Sequence, residues 1–171
     1  ISGKSINAGD TVLGMPSIGL HTNGYTLARK IFGDSADDLN KTYPELDRPI
    51  GEVLLEPHRC YYNELEPALP LIKGLAHITG GGLIDNVPRI IPEGLAVRFD
   101  ASSWDVPPVF NLMQRLGSVD RDEMYHVFNM GIGMVVICSP ENAAALRRQV
   151  PEIMPVGEVV QQAGEARIVI E

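Results

Sequence analysis

Short apolar runs alternate with amphipathic stretches along most of the chain, and their spacing predicts its strands and helices. Apolar runs bounded by turn residues indicate buried strands, and they lie at residues 11–15, 75–78, 95–99, 132–138, 156–160 and 167–170. Apolar positions repeated every three or four residues indicate helices, at residues 25–32, 51–55, 83–91, 107–116, 120–128 and 141–150. Residues 33–49 are charged and irregular and are expected at the surface, whereas residues 58–65 fit no single pattern.

The order of these elements predicts an α+β domain with a mixed sheet. Residues 132–138 are apolar on both faces, so we expect this strand in the centre of the sheet. The strands at 156–160 and 167–170 are separated by turn residues and are predicted to form a closing hairpin. Residues 1–10 are polar and indicate a linker, which leaves residues 11–171 as the domain.

Polar residues before three of the predicted helices are expected to cap them. Thr22 or Asn23 precedes the helix at 25–32 and offers a side-chain oxygen to its free N–H groups. Asp120, with Glu123 three residues later, predicts a capping box for the helix at 120–128. Ser139 is expected to cap the helix at 141–150, with a proline at its first position.

The composition narrows the class of protein and of partner. The chain has 171 residues, of which 44% are hydrophobic and 21% charged, and this is typical of one globular domain. Its formal net charge of −8 argues against nucleic acid and anionic membranes as partners, because both require a basic surface. Two cysteines far apart in the sequence, with no long apolar run or targeting segment, favour a reducing compartment. We therefore expect a cytoplasmic protein.

Three consecutive glycines, Gly80, Gly81 and Gly82, stand between a predicted strand and a predicted helix. Glycine loses more backbone freedom on folding than any other residue, so such a triplet needs a physical reason. One reason is a phosphate-binding turn that starts at Thr79, in which bare backbone N–H groups approach an anion. The other is a tight turn that lets the strand and helix pack closely. The residues alone do not separate these two interpretations.

A second candidate lies between residues 17 and 24, where the first strand gives way to the first helix. Ser17, His21 and Asn23 offer side-chain donors beside N–H groups that a helix start leaves free. The functional interpretation is recognition of an anion or amide. The alternative is helix capping beside a histidine that is satisfied within the fold, and the residues alone favour that alternative.

Other kinds of site find no support in the sequence. The four histidines, at positions 21, 58, 77 and 126, show no metal-ligand spacing, so no metal site is predicted. There is no Gly-x-Ser-x-Gly nucleophile motif, and no catalytic residue is assigned. Asn129 to Gly133 leads into a strand, so its two glycines are interpreted as sites of close backbone packing.

Three stretches, at residues 16–30, 77–89 and 123–134, resemble the phosphoribosylformylglycinamidine cyclo-ligases, also called aminoimidazole ribonucleotide synthetases. The resemblance covers essentially the whole chain but only the C-terminal domain of that family, so residues 11–171 would be the C-terminal synthetase domain. It implies a three-layer α/β/α fold, partly ferredoxin-like. It also implies that the family's N-terminal domain, which carries the dimer interface and most contacts to ATP and Mg²⁺, is missing from this sequence.

The resemblance further implies an ATP-dependent ring closure in purine synthesis, from formylglycinamidine ribonucleotide to aminoimidazole ribonucleotide. Residues Thr79 to Gly82 would receive a phosphate of this small-molecule substrate, and Ser17, His21 and Asn23 would face the cleft. The alternatives are a sister enzyme, such as formylglycinamidine ribonucleotide synthase, selenophosphate synthetase or thiamine-monophosphate kinase, and a non-catalytic ligand-binding module. The full-length family is expected to be homodimeric, and this fragment alone is expected to be inactive.

Overall fold

A computed structural model describes all 171 residues and shows six strands and eight α-helices. The strands are β1 (Thr11–Pro16), β2 (Gly74–His77), β3 (Leu95–Phe99), β4 (Ile132–Cys138), β5 (Met154–Gln161) and β6 (Ile168–Ile170). The helices are α1 (Tyr25–Phe32), α2 (Ala36–Leu39), α3 (Ile50–Leu54), α4 (Tyr62–Leu65), α5 (Gly82–Asn86), α6 (Pro108–Gly117), α7 (Arg121–Val127) and α8 (Pro140–Gln149). Short 3₁₀ segments lie at Glu66–Leu71, Val87–Arg89 and Ala101–Ser103.

The six strands form one mixed sheet in the order β2-β4-β1-β5-β3-β6. Every neighbouring pair is antiparallel except β3 and β6, which are parallel. The predicted α+β class and mixed sheet are confirmed, and β4 lies inside the sheet as expected. Both β1 and β2 run antiparallel to β4, so they point in the same direction on either side of it. Their C-terminal ends therefore meet at one edge of the sheet.

Helices cover both faces of the sheet, which gives the three predicted layers. The larger core contains 30 buried residues and joins one face to α1, α3, α5, α6 and α7. The smaller core contains 11 buried residues and joins the other face to α4, the following 3₁₀ segment and α8. Alternate residues of β1 point to opposite cores, with Val12 in the larger and Leu13 in the smaller. This period of two is what a strand buried on both faces requires.

The predicted hairpin of the last two strands is wrong. Strand β5 is already paired on one side with β1 and on the other with β3, so no edge is left for β6. Strand β6 pairs with β3 instead. The Arg167 guanidinium fixes this return path by donating to the backbone carbonyls of Pro88, Ile91, Pro92 and Leu95.

The predicted helix starts are close to the observed ones, but the predicted capping bonds are absent. Helix α1 begins after Gly24, whose left-handed backbone (φ 72°) leaves space for the Phe128 ring, and neither Thr22 nor Asn23 caps it. Asp120 and Ser139 occupy the N-cap positions of α7 and α8 without a side-chain capping bond to either helix. The irregular stretch at 33–49 contains α2, which Ser35 does cap through a 3.1 Å bond from the Asp38 N–H.

The first ten residues lie against the domain. Ile6 is buried in the larger core, and the Gly9 N–H donates to the Val159 carbonyl of β5. The Asp10 carboxylate is almost fully buried and accepts a 2.7 Å bond from Lys73 Nζ, immediately before β2. None of the helices is both long and apolar enough to cross a lipid bilayer.

Candidate functional site

The two loops singled out in the sequence meet at the edge where β1 and β2 end. Residues 17–24 follow β1, and residues 78–81 follow β2. The registers place Met134 beside both Met15 and His77, so the start of β4 lies between the two loops. The Asn23 side-chain oxygen lies 3.9 Å from the position that a Cβ would occupy on Gly80. The sheet order therefore joins the two predicted regions into one candidate site.

Asn129 holds the first loop in place from the start of β4. Its side chain is fully buried, and its oxygen accepts bonds from the Ser17 hydroxyl (2.7 Å) and the Gly131 N–H (2.9 Å). Its nitrogen donates to the Gly19 carbonyl at 2.9 Å. The predicted packing role of residues 129–133 fits these contacts. The Ser17 hydroxyl donates its proton to Asn129 and so holds the loop in position. Contact between Ser17 and a ligand stays a prediction.

Asn86 holds the glycine turn in place, as Asn129 holds the first loop. Its buried amide nitrogen donates to the carbonyls of Thr79, Gly80 and Gly82, and its oxygen accepts from the Thr79 hydroxyl. Gly82 adopts φ 55° and packs so closely on the Tyr125 carbonyl that a Cβ would overlap it. Close packing therefore explains Gly82, which was one of the two interpretations of the triplet.

The N–H groups of Gly80 and Gly81 donate to no acceptor within the protein. On one side of the turn, the Asp85 carboxylate stands over Gly81, with one oxygen 2.6 Å from the position of a Cβ there. That carboxylate pairs with His126 Nε2 at 3.2 Å. Its negative charge screens this side of the turn from anions, so the open approach to the free N–H groups is from Gly80, on the side of Asn23.

His21 and Asn23 are buried beside this approach with side-chain nitrogens that have no partner. His21 is 3% exposed and Asn23 8% exposed, yet His21 Nδ1 and Asn23 Nδ2 make no hydrogen bond. The Ile18 N–H points at His21 Nε2 (3.3 Å), so Nε2 accepts and Nδ1 carries the proton of the neutral ring. Burial, with smaller contributions from His58, His77 and Arg59, lowers the pKa of His21 to about 4. The site thus holds two buried donors without acceptors.

Two further histidines join His21, although the spacing of the histidines along the chain predicted no such group. The His58 ring stacks on the His21 ring with centroids 4.1 Å apart, and His58 Nε2 lies 3.0 Å from His77 Nε2. His77 also has its pKa lowered, chiefly by burial and then by His58. The cluster fits together because Gly133, at the start of β4, has no Cβ that would collide with the His21 ring and the Tyr61 hydroxyl.

An apolar pocket of about 500 Å³ opens beside the histidines. Tyr61 lies in its wall, donates its hydroxyl proton to the Pro16 carbonyl at 3.0 Å, and has its pKa raised by burial. Arg59 also borders the pocket and forms ion pairs with Glu64 and Glu152. The remaining wall is mostly apolar, with Tyr62, Leu65, Leu69, Leu75 and Met134.

The comparisons with known proteins identify the family. Residues 7–170 match the sequence profile of "AIR synthase related protein, C-terminal domain". The chain belongs to the AIR synthase-related family. It is 47% identical over 171 aligned residues to a phosphoribosylformylglycinamidine cyclo-ligase of Geobacillus thermodenitrificans, covering 96% of this chain and 49% of that protein. It is 45% identical over 170 residues to the protein of that name from Lactococcus lactis, covering 98% and 49%.

Solved structures support the same fold at much lower sequence identity. A hydrogenase maturation protein HypE in complex with ATP matches 99% of this chain and 49% of its own chain, with a TM-score of 0.62 and 19% identity. Thiamine monophosphate kinase from Aquifex aeolicus matches 100% and 53%, with a TM-score of 0.59 and 14% identity. This chain spans about half the length of the two cyclo-ligases and of these two solved structures.

Proposed function

We propose that this chain is the C-terminal half of a phosphoribosylformylglycinamidine cyclo-ligase. The proposal is supported by the name that relatives 45–47% identical to the chain carry. In this reaction ATP phosphorylates the formyl amide oxygen of formylglycinamidine ribonucleotide and leaves ADP. The amidine nitrogen then attacks the formyl carbon, the C–O bond breaks as phosphate leaves, and aminoimidazole ribonucleotide forms. Such a reaction needs substrate positioning and charge stabilisation more than a protein nucleophile.

The observation that carries the proposal is the pair of buried donors beside the glycine turn. A buried N–H without a partner costs free energy, and a ligand that supplies the acceptor recovers it. Four kinds of donor have no acceptor within the protein: His21 Nδ1–H, Asn23 Nδ2–H and the N–H groups of Gly80 and Gly81. Together they suit a ligand rich in acceptors. In the proposal, the phosphate of the ribonucleotide binds at Gly80 and Gly81, next to Asn23, and His21 donates to a further substrate oxygen.

ATP supplies the phosphoryl group for activation and would be bound mainly by the N-terminal half of such an enzyme, together with Mg²⁺. The possible metal ligands of this chain are consistent with binding of Mg²⁺ by the N-terminal half. The one group of three or more side chains that could hold a metal consists of histidines, whereas Mg²⁺ prefers oxygen ligands. We also propose that the full-length enzyme is a cytoplasmic homodimer and that this chain alone does not catalyse ring closure. Product formation by the purified chain would refute this last point.

Calorimetric titration of the chain with formylglycinamidine ribonucleotide tests the proposed ligand. The dephosphorylated riboside is the matched control for the phosphate, and thiamine monophosphate is the control for a sister activity. We expect heat of binding with the ribonucleotide and at least about tenfold weaker binding of the riboside, because charge-assisted bonds to the phosphate are lost. Equal binding of the ribonucleotide and the riboside would contradict the phosphate site, and tighter binding of thiamine monophosphate would contradict the cyclo-ligase assignment.

A further inference from the structure

Three histidines from separate parts of the chain converge at the edge of the proposed substrate site. His21 follows β1, His58 precedes α4, and His77 ends β2. One ring nitrogen of each lies within 4.8 Å of one ring nitrogen of both others. No carboxylate or thiol belongs to this group, so its donors are three imidazoles.

Imidazole nitrogens are characteristic ligands of zinc, copper, nickel and cobalt, whereas magnesium and calcium select oxygen. In a tetrahedral zinc site the Zn–N distance is about 2.0–2.1 Å, which puts two ligand nitrogens about 3.3 Å apart. The His58 and His77 Nε2 atoms, at 3.0 Å, are already near that separation. The donor type and the spacing thus both fit an ion of this class.

The burial of one histidine and the exposure of the other two also fit ion binding. His21 is buried and its backbone is fixed in the left-handed region (φ 56°), whereas His58 and His77 are exposed. The stacked His21 and His58 rings do not aim at one point, so His58 must turn about its side-chain torsions, which its exposure permits. The one fixed ring then acts as the anchor, and two exposed rings close on the ion.

One guanidinium lies beside the cluster, and its charge is paired with carboxylates. The Arg59 guanidinium contributes to the lowered pKa of His21, and it forms ion pairs with the carboxylates of Glu64 and Glu152. The exposed thiol of Cys60 borders the same pocket. The two carboxylates that pair with Arg59 offset the repulsion between its guanidinium and a bound cation.

We propose that His21, His58 and His77 form a binding site for one divalent transition-metal ion of the zinc class. Three protein ligands leave the fourth position open to water or to a substrate atom. The ion takes one nitrogen of His21, so it competes with the donor role proposed for that ring. The site differs from that of the Mg²⁺ expected with ATP, because Mg²⁺ prefers oxygen ligands and this site offers imidazole nitrogens.

Titration with Zn²⁺ by calorimetry and with Co²⁺ by visible absorption tests the site. All samples carry Cys60→Ser, because an exposed thiolate also binds zinc. We expect one ion per chain and the absorption bands of tetrahedral Co²⁺. We expect His58→Ala and His77→Ala each to weaken binding more than about tenfold, whereas His126→Ala, outside the cluster, leaves binding unchanged.

Equal affinity in all four proteins, or the same loss in His126→Ala as in His77→Ala, would overturn the proposal. The two exposed histidines are chosen for substitution because their loss leaves the core intact, and thermal unfolding without metal checks this. The readout needs no ribonucleotide, so failure of the metal site and failure of the proposed cyclo-ligase function are distinguishable.

Discussion

Replacing Asn23 with leucine tests whether this residue serves ligand binding or the stability of the fold. The Asn23 side chain is 8% exposed, has nearly the size of leucine, and makes no hydrogen bond within the protein. A buried amide without a partner destabilises the folded state by about 1–3 kcal/mol. Asn23→Leu removes that cost, so we expect the free energy of unfolding to stay constant or rise by about 1 kcal/mol.

The same substitution should weaken ligand binding. A hydrogen bond to a charged group contributes about 1.5–3 kcal/mol, so the loss of one such bond to a phosphate corresponds to a decrease in affinity of about 10- to 150-fold. Calorimetric titration with formylglycinamidine ribonucleotide measures the affinity, and urea unfolding measures the stability. The expected signature is a protein of unchanged or higher stability that binds its ligand poorly.

Asn86 provides the matched control, because it is equally buried and lies in the neighbouring turn. Its amide makes four hydrogen bonds to Thr79, Gly80 and Gly82. Asn86→Leu should therefore destabilise the fold by about 2–4 kcal/mol. The reasoning is refuted if Asn23→Leu destabilises the protein as much as Asn86→Leu does and leaves the affinity for the ribonucleotide unchanged.

Three other substitutions or modifications test separate features. Gly80→Ala should fold normally, since nothing lies closer than 3.9 Å to the new Cβ, but it should lower ribonucleotide affinity in calorimetry; unchanged affinity would argue against phosphate at this turn. Lys73→Met leaves the buried Asp10 carboxylate without its cation and should cost about 3 kcal/mol in urea unfolding; a cost near zero would contradict this account. Burial raises the pKa of the Cys138 thiol to about 11, so at pH 9 a thiol reagent should label Cys60 alone in the native protein and both cysteines in denaturant. Rapid native labelling of both would show that Cys138 is accessible.

Most strands could be predicted from the sequence because each is a short apolar run between turn residues. The exact partner of a strand could not, because the pairing of β6 depends on which edges β1, β3 and β5 leave free. Helix starts were also predictable, but their capping bonds depend on side-chain directions. At Gly24 the packing of Phe128 sets the start of α1, and a polar side chain does not.

In the candidate site, too, local features could be predicted from the sequence and contacts between distant residues could not. The glycine triplet marks a turn in any fold, so its position could be read from the sequence. His21, His58 and His77 come together because β1 and β2 lie on either side of β4. The spacing of the three histidines along the chain does not predict that strand order. Asn86 was missed as a site residue because no motif marks its bonds to the carbonyls of the preceding turn. For Asn129 only packing was predicted, because its bonds to Ser17 and Gly19 join distant parts of the chain.

The Ser17–Asn129 hydrogen bond has a consequence for how the site forms during folding. It joins residues 112 positions apart, so it cannot form until β4 has docked beside β1. Contacts of such long sequence separation form slowly, because the intervening chain must first be ordered. The loop at residues 17–24 should therefore gain protection from hydrogen exchange only in the last kinetic phase of refolding, together with the amides of β4.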